Sequence, residues 1–552
     1  MAIRYATSQL TPHGTTLLRK LVTPDESGFD LKLDLPLGLL LFLFAVWVRL
    51  PNLLTIPIFN DETREVLSAL DIARGLHFPL TNVSTYIGPL YLYLLAAAFR
   101  VFGVFPELPR LFVMVLAALT VVATFWLGKL WANRLAGVLG AALFATASTH
   151  IFVNSHIANS ASIAPLFTTL TIIALTYAQK KRSTLLWVAA GFLYGLSLQT
   201  HPTVIFLAPA LLLWVLLDPK NRAQLKTAPP YLAIGATALA YSPALLHNAL
   251  TWGSTRTSLE SVSRRTYAFG LPESITDYGD RLAMHSIAIW RTFAAEFDPL
   301  RTLGDYVQFP LILYLVLLLA ALFLLLRRGN SLPLWAFLWT PILLAAVDGS
   351  SLFPYDTRYF AFLLPLGYVT LGILLDTLLR GIWSWNLSRR RVNFTLSPRL
   401  ALLTRLLLSG LVIVSIVRLI LYPLDVLGGV NHWFVVNNIT GAGLLNITRQ
   451  ASAAKPPRVW LDEDLSGAEY WLCNGATTGE VLQYLLILNS VPVTPGNLET
   501  IQPAPHDWLA LTPAHRNLAG KRFVIQKIAE TPPASINCAP GRIVLVQIQA
   551  LP

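Results

Sequence analysis

Eleven apolar runs, each close to the ~20 residues that a helix needs to cross a bilayer, alternate with short polar turns along most of this chain. Their approximate limits are 35–51, 109–128, 135–153, 161–178, 184–200, 203–217, 230–248, 308–326, 332–347, 359–379 and 402–421. A run such as Leu311 to Leu326 holds no charge and no amphipathic stripe, so lipid rather than water is its solvent. Two segments between the first and second runs differ. Thr63 to Arg74 sets Val66, Leu70 and Ala73 at helical spacing opposite Arg64, Glu65 and Asp71, with Gly75 as a stop. Residues 88–103 are apolar enough to span, but counting them would invert every later turn, so they read as an interfacial or re-entrant helix. After residue 422 the pattern changes to short strand-like runs at Val459–Leu461, Trp508–Leu511, Phe523–Ile528 and Ile543–Ile548, with helical stretches near 466–472 and 479–488. The pattern therefore predicts a cytoplasmic tail over 1–34, a membrane domain of about 11 helices over 35–421, with external loops at 52–108 and 249–307, and a small external α/β domain over 422–552.

Composition supports the lipid reading: of 552 residues, 55% are hydrophobic and 13% charged, against roughly 25% charged in an ordinary soluble chain. The net charge of +12 would suggest nucleic acid if it clustered on a polar domain, but the basic residues lie in short turns. Lys129, Arg134, Lys180, Lys181, Arg182, Lys220, Arg222, Lys226, Arg327, Arg328, Arg380, Arg389, Arg390, Arg391, Arg399 and Arg405 fall on one side, and among the short turns of the other side only Arg358 does. By the positive-inside rule this places the N-terminus in the cytoplasm and the C-terminal domain outside, in a multi-pass plasma-membrane protein without a cleavable signal peptide. Both cysteines, Cys473 and Cys538, fall in the external domain, where a disulfide and two free thiols both remain open.

Candidate chemistry gathers on the outer side. Asn60-Asp61-Glu62-Thr63-Arg64 follows the first run directly. Two carboxylates beside apolar walls suit a general base, although Asn60 or Asp61 would equally well cap the helix that follows. Nine of the ten histidines, all but His13, lie on the outer side, with His150, His156, His201 and His247 at helix ends. Convergence on a metal is not evident, and no metal or cofactor is expected. The charge order points to Arg358 and Arg64 as partners for an anionic group, because a guanidinium grips phosphate in a bidentate manner; Arg256, Arg264 and Arg265 are weaker candidates.

Taken together, a span, Asp61-Glu62-Thr63-Arg64, an amphipathic helix, Gly88-Pro89-Leu90-Tyr91-Leu92-Tyr93-Leu94, and Pro109-Arg110-Leu111 opening the next span resemble the C-type (GT-C) membrane glycosyltransferases. The likeness is greatest to the protein mannosyltransferase and aminoarabinose transferase group and covers roughly residues 35–250. It implies transfer of a sugar from a polyprenyl-phosphate donor to an acceptor hydroxyl of a glycan, lipid or protein on the outer face, with Asp61 as base and Glu62 beside it. It further implies donor-phosphate contacts from Arg358, Arg64 and His201, and a substrate pocket drawing on Tyr86, Pro89, Tyr91, His156, Asn159, Gln199 and Tyr359. The chain departs from the family pattern at Ile87, where relatives often carry lysine, and at Asn159, where they often carry aspartate. The competing readings are a flippase for a lipid-linked solute, which would place ionisable groups mid-span, and a non-catalytic relative.

Overall fold

The computed structural model describes residues 30–51, 53–54, 58, 60–217, 222–257, 270–293, 308–327, 330–347, 357–384, 398–437, 439–466, 477–531 and 543–550. Each of the eleven apolar runs is mainly helical where described. They form α1 (Leu31–Arg49), α4 (Leu108–Trp131), α5 and α6 (Arg134–Thr146, Ser148–Ser155), α7 (Ala164–Lys181), α8 (Thr184–Leu198), α9 (Leu207–Leu217), α10 and α11 (Pro229–Ala240, Ser242–Leu250), α13 (Gln308–Arg327), α14 (Leu332–Val347), α15 (Leu364–Ser384) and α16 (Pro398–Asn437). Between them lie α2 (Asn60–Arg74), α3 (Leu90–Phe102) and α12 (Ile275–Phe293). Four helical stretches among the described residues are by themselves long and apolar enough to cross a membrane, and α5 with α6, bent by 64° at Ala147, makes a fifth. The chain is thus a helical membrane protein. At 13 residues, α3 reaches about 20 Å, short of the ~30 Å hydrocarbon core.

Packing explains why these helices need so few large side chains at their contacts. Gly191 and Gly195 on α8 lie against α10, where a Cβ would meet the Ala233 and Thr237 carbonyl oxygens at 2.0 and 2.4 Å; small residues let membrane helices approach backbone to backbone. At one end of the bundle, Asp34 of α1 accepts from Arg134 Nε at 2.7 Å and pairs with Lys129, while Asp376 of α15 accepts from Asn133 Nδ2 at 2.9 Å and pairs with Arg380. Several of the basic residues that set the predicted orientation are therefore also counter-ions of buried acids. At the opposite end, buried Arg49 closes the break after α5: it donates to the Ala45 and Ala145 carbonyls at 2.9 Å each and contacts His150 Nδ1 at 2.6 Å. Free carbonyls at a helix C-terminus favour a cation there.

The C-terminal part carries α17 (Ile439–Ala454), α18 (Thr478–Leu488), α19 (Pro513–Arg522) and five strands: β1 (Val459–Asp462), β2 (Val493–Gly496), β3 (Trp508–Leu511), β4 (Val524–Glu530) and β5 (Val544–Ala550). The sheet order is β2-β1-β3-β5-β4, parallel between β1 and its neighbours β2 and β3, antiparallel from β3 onward. Four of the five strands match the expected runs; β2, with Pro495 and Gly496 in its four residues, has no period-2 apolar signal. Along β3, Trp508 and Ala510 face one core while Leu509 and Leu511 face another. The first of these cores is not private to the sheet. It continues through Leu444, Leu482 and Leu485 into Val66 and Leu70 of α2 and Tyr91, Leu95 and Phe99 of α3. The composition change at 422 is not a structural break either, since the 40 residues of α16 run through it. Cys473, Cys538 and all but the first residue of the helix expected near 466–472 lie outside the described residues.

Gly191→Val should overpack the α8–α10 contact and cost about 1–3 kcal/mol or more. Thermal unfolding of the purified protein in detergent checks this, with Gly235→Ala, whose Cβ meets nothing within 4 Å, as the neutral control.

Candidate active site

The first turn of α2 divides its carboxylates between solvent and interior. Asp61 is exposed, whereas Glu62 is fully buried. Glu62 accepts from Arg110 Nε at 2.8 Å and Nη2 at 2.9 Å, and the remaining Arg110 Nη1 donates to the Leu53 carbonyl at 2.6 Å. With both oxygens on one guanidinium, Glu62 anchors α2 to the start of α4 and is poorly placed to take up a substrate proton. Arg64, also exposed, lies 3.8 Å from Glu480 of α18. That glutamate forms a capping box with Thr477 at the start of its helix.

Glu65, expected on the polar face of α2, is instead buried. This burial has a physical cause: its Oε2 accepts from the Ser160 N–H at 2.7 Å and its Oε1 from the Ser160 hydroxyl at 2.9 Å. Burial, with the nearby Asp61 charge, pushes the Glu65 carboxyl up to about 8, against the lowering effect of the Ser160 bonds. Tyr91 is fully buried at the start of α3, and its hydroxyl has no hydrogen-bond partner among the described residues. Burial first, then the fields of Glu65 and Glu62, hold that phenol well above its ordinary value.

Several of the other predicted residues are held by backbone contacts. His156 is buried, its ring nitrogens each 3.1 Å from a carbonyl, of Ile151 and of Pro51. Burial brings it down to about 4, against the raising effect of those two carbonyls. Asn159 caps the short helical turn 160–163, its Oδ1 accepting from Ser162 N–H at 3.2 Å. Gln199 joins the third turn to the first loop: its carbonyl accepts from Gly88 N–H at 3.0 Å and its Oε1 from Leu90 N–H at 3.1 Å, while its Nε2 donates to Ala240 O at 2.5 Å. A Cβ on Gly88 would lie 2.5 Å from Gln199 Cγ, so Gly88-Pro89 is tight by necessity. His201 stacks on Tyr359 with centroids 4.5 Å apart, and Thr203 Oγ1 donates to the Tyr359 carbonyl at 2.9 Å. Tyr86 is half-buried in the loop that Thr255 Oγ1 reaches through Thr85 O at 3.3 Å. The side chain of Arg358, and residues Arg264 and Arg265, lie outside the described residues. Sequence reasoning missed Glu65, Arg110 as the partner of Glu62, and Tyr484 of α18, which is buried within the fields of Glu62 and Arg110. Only the i+4 spacing of Glu65 from Asp61 was available as a signal.

One described group away from this site brings three possible ligand side chains within 4.8 Å, Asp462, Asp464 and His515. His515 Nδ1 lies 2.8 Å from Asp462 and Nε2 3.3 Å from Asp464, a clamp between the end of β1 and α19.

The chain aligns over 94% of its length with 97% of ArnT from Cupriavidus metallidurans, at TM-score 0.52 for the apo crystal structure (14% identity) and 0.51 for the one bound to undecaprenyl phosphate (13% identity). Its fold is the fold of ArnT. A weaker likeness, TM-score 0.47 and 13% identity over 86% of this chain and 65% of the other, links it to the Archaeoglobus fulgidus oligosaccharyltransferase. Residues 87–247 match the family of dolichyl-phosphate-mannose-protein mannosyltransferases, and no curated protein matches the chain. That matched stretch contains Gly88, Tyr91, Arg110, Asn159, Gln199 and His201, but ends short of Asp61 and Tyr359 on either side.

Removing one member of the buried Glu62–Arg110 pair leaves an uncompensated charge, so Glu62→Gln or Arg110→Met should each cost about 3–5 kcal/mol. The double variant Glu62→Leu/Arg110→Met should recover most of that loss, read by thermal unfolding in detergent. Glu65 gives a second expectation. Between about 4.5 and about 8 the unfolded chain has Glu65 ionised and the folded chain has it protonated, so stability falls as pH rises through this window and levels off above it. Glu65→Gln should flatten that part of the melting-temperature profile.

Proposed function

We infer that this protein is a membrane glycosyltransferase that moves a sugar from a polyprenyl-phosphate carrier to an acceptor hydroxyl on the outer face of the membrane. One observation carries the reading: the first loop, the 154–160 turn, the 199–203 turn and the 357–363 segment, far apart in sequence, meet at one end of an ArnT-type bundle with Asp61 exposed at that meeting point. An ArnT crystal structure contains undecaprenyl phosphate, and the partial match to lipid-phosphate-dependent mannosyltransferases favours the same donor class.

The proposed chemistry is a single inverting displacement. Asp61 accepts the proton of the acceptor hydroxyl, the hydroxyl oxygen bonds to the anomeric carbon, and the bond from that carbon to the phosphate oxygen breaks as polyprenyl phosphate departs. The departing charge needs cations. Arg64 and Arg358 are the proposed donors to it, and His201 with Tyr359 forms a wall of the pocket. Glu62 holds the helix that carries the base. In the same reading the chain crosses the plasma membrane eleven times, with residues 1–34 inside and 422–552 outside.

Purified protein incubated with a panel of polyprenyl-phosphate sugars should transfer from at least one of them, with inversion at the anomeric carbon. Asp61→Asn should lower the rate by about 10²–10⁴ with donor binding and melting temperature near those of the wild type; near-normal turnover would reduce Asp61 to a helix cap. For orientation, in a chain whose Cys473 and Cys538 are replaced by Ser, His77→Cys should react with an impermeant thiol reagent added outside intact cells, and Arg182→Cys only after permeabilisation.

A further inference from the structure

We propose that Glu65 is a positioning residue of this same site: its carboxyl fastens the 154–160 turn, and with it Asn159, to the helix turn that carries Asp61. This rests on the glycosyltransferase reading for its consequence, but the anchoring itself is a property of the fold.

The turn is close to a rigid unit. Asn154 Nδ2 donates to Ser162 O at 2.5 Å, and Ser162 Oγ donates to Ile157 O at 2.6 Å and lies 2.9 Å from both Val153 O and Asn159 Oδ1. What orients such a unit is its attachment to neighbours. His156 ties its start to Pro51 O, and Glu65 ties its end to α2 through two bonds, one from the Ser160 backbone and one from its hydroxyl. Asp61 and Glu65 are four residues apart, so they lie one above the other on the helix. A shift of Glu65 therefore turns or slides the segment bearing Asp61 relative to Asn159. Among the described residues the groups that face Glu65 are Asp61 on its own helix, Asn82 of the first loop, Ser160, and Tyr91 of α3, whose hydroxyl also senses Glu62, Arg110 and Tyr484. Burial and the Asp61 charge raise the Glu65 carboxyl, while the bonds from Ser160 and Asn82 oppose that shift.

Three variants separate anchoring from mere bulk. Glu65→Gln keeps an acceptor for the Ser160 N–H and should transfer within about fivefold of wild type, the worth of one ordinary hydrogen bond. Glu65→Ala should lose about 10²-fold in kcat with little change in donor KM, as expected when a catalytic group is misplaced by about 1 Å. Glu65→Asp, one methylene too short to reach, should behave like Ala and replaces it if the alanine variant fails to fold. Hydrogen exchange over 156–163 supplies a readout that needs no substrate: faster in Glu65→Ala or Glu65→Asp, unchanged in Glu65→Gln. Full kcat in the Ala or Asp variant, or unchanged exchange in them, overturns the proposal. If the wild type transfers no sugar at all, the function reading fails, and exchange alone decides whether Glu65 is the anchor.

Discussion

A guanidinium without access to water must be met by fixed acceptors, and Arg110 is met by Glu62 and the Leu53 carbonyl. In a low-dielectric interior that pair tolerates little rotation, because any turn of α2 would strand a buried charge on each side. Its geometry dictates the rest of the first loop. With Glu62 pointing inward, its neighbour Asp61 is swung about 100° around the helix to the surface, and Glu65 and Val66, three and four residues on, return to the interior. The chain after the first span, the start of α4 and, through Tyr484, the C-terminal helix α18 are all referred to this one contact.

The two ends of the bundle solve the burial of charge differently. At the end rich in basic residues, Asp34 and Asp376 are neutralised by Lys129, Arg134 and Arg380, and the helices there are stapled by ordinary ion pairs. At the other end, Arg49 has no acidic partner among the described residues and is satisfied instead by helix-end carbonyls and His150. Polar groups at that end are mostly held by backbone, as with His156, Gln199 and Thr203.

The C-terminal part acts on the site by contact. A core that runs from β1, β3 and α17 through α18 into α2 and α3 leaves no apolar gap between sheet and loop, so the sheet stiffens the helix that carries Asp61. The Arg64–Glu480 approach adds a polar contact at the rim of that interface, worth little by itself at its exposure.

Apolar periodicity was sufficient for the helices, because lipid imposes the same demand on every turn of a spanning segment. All eleven runs are mainly helical where described, and α2 ends at Arg74 with Gly75 at φ +78° as its sequence implies. Motifs also nominated the first loop, Asn159, Gln199 and His201, segments that the fold brings into contact through Ser160–Glu65 and Gly88–Gln199. What the sequence could not determine was which polar residue faces inward. Glu65 reads as solvent-facing by amphipathic pattern, yet Ser160, 95 residues away, gives it a buried bonding place. Arg110 reads as a span's flanking charge until Glu62 meets it. The break at Ala147, the continuation of α16 past 422 and the fusion of the C-terminal core with α2 are likewise decided by distant partners. Local pattern reports how a segment relates to its solvent; the pairing of one buried polar group with another depends on three-dimensional proximity, which only the tertiary structure supplies.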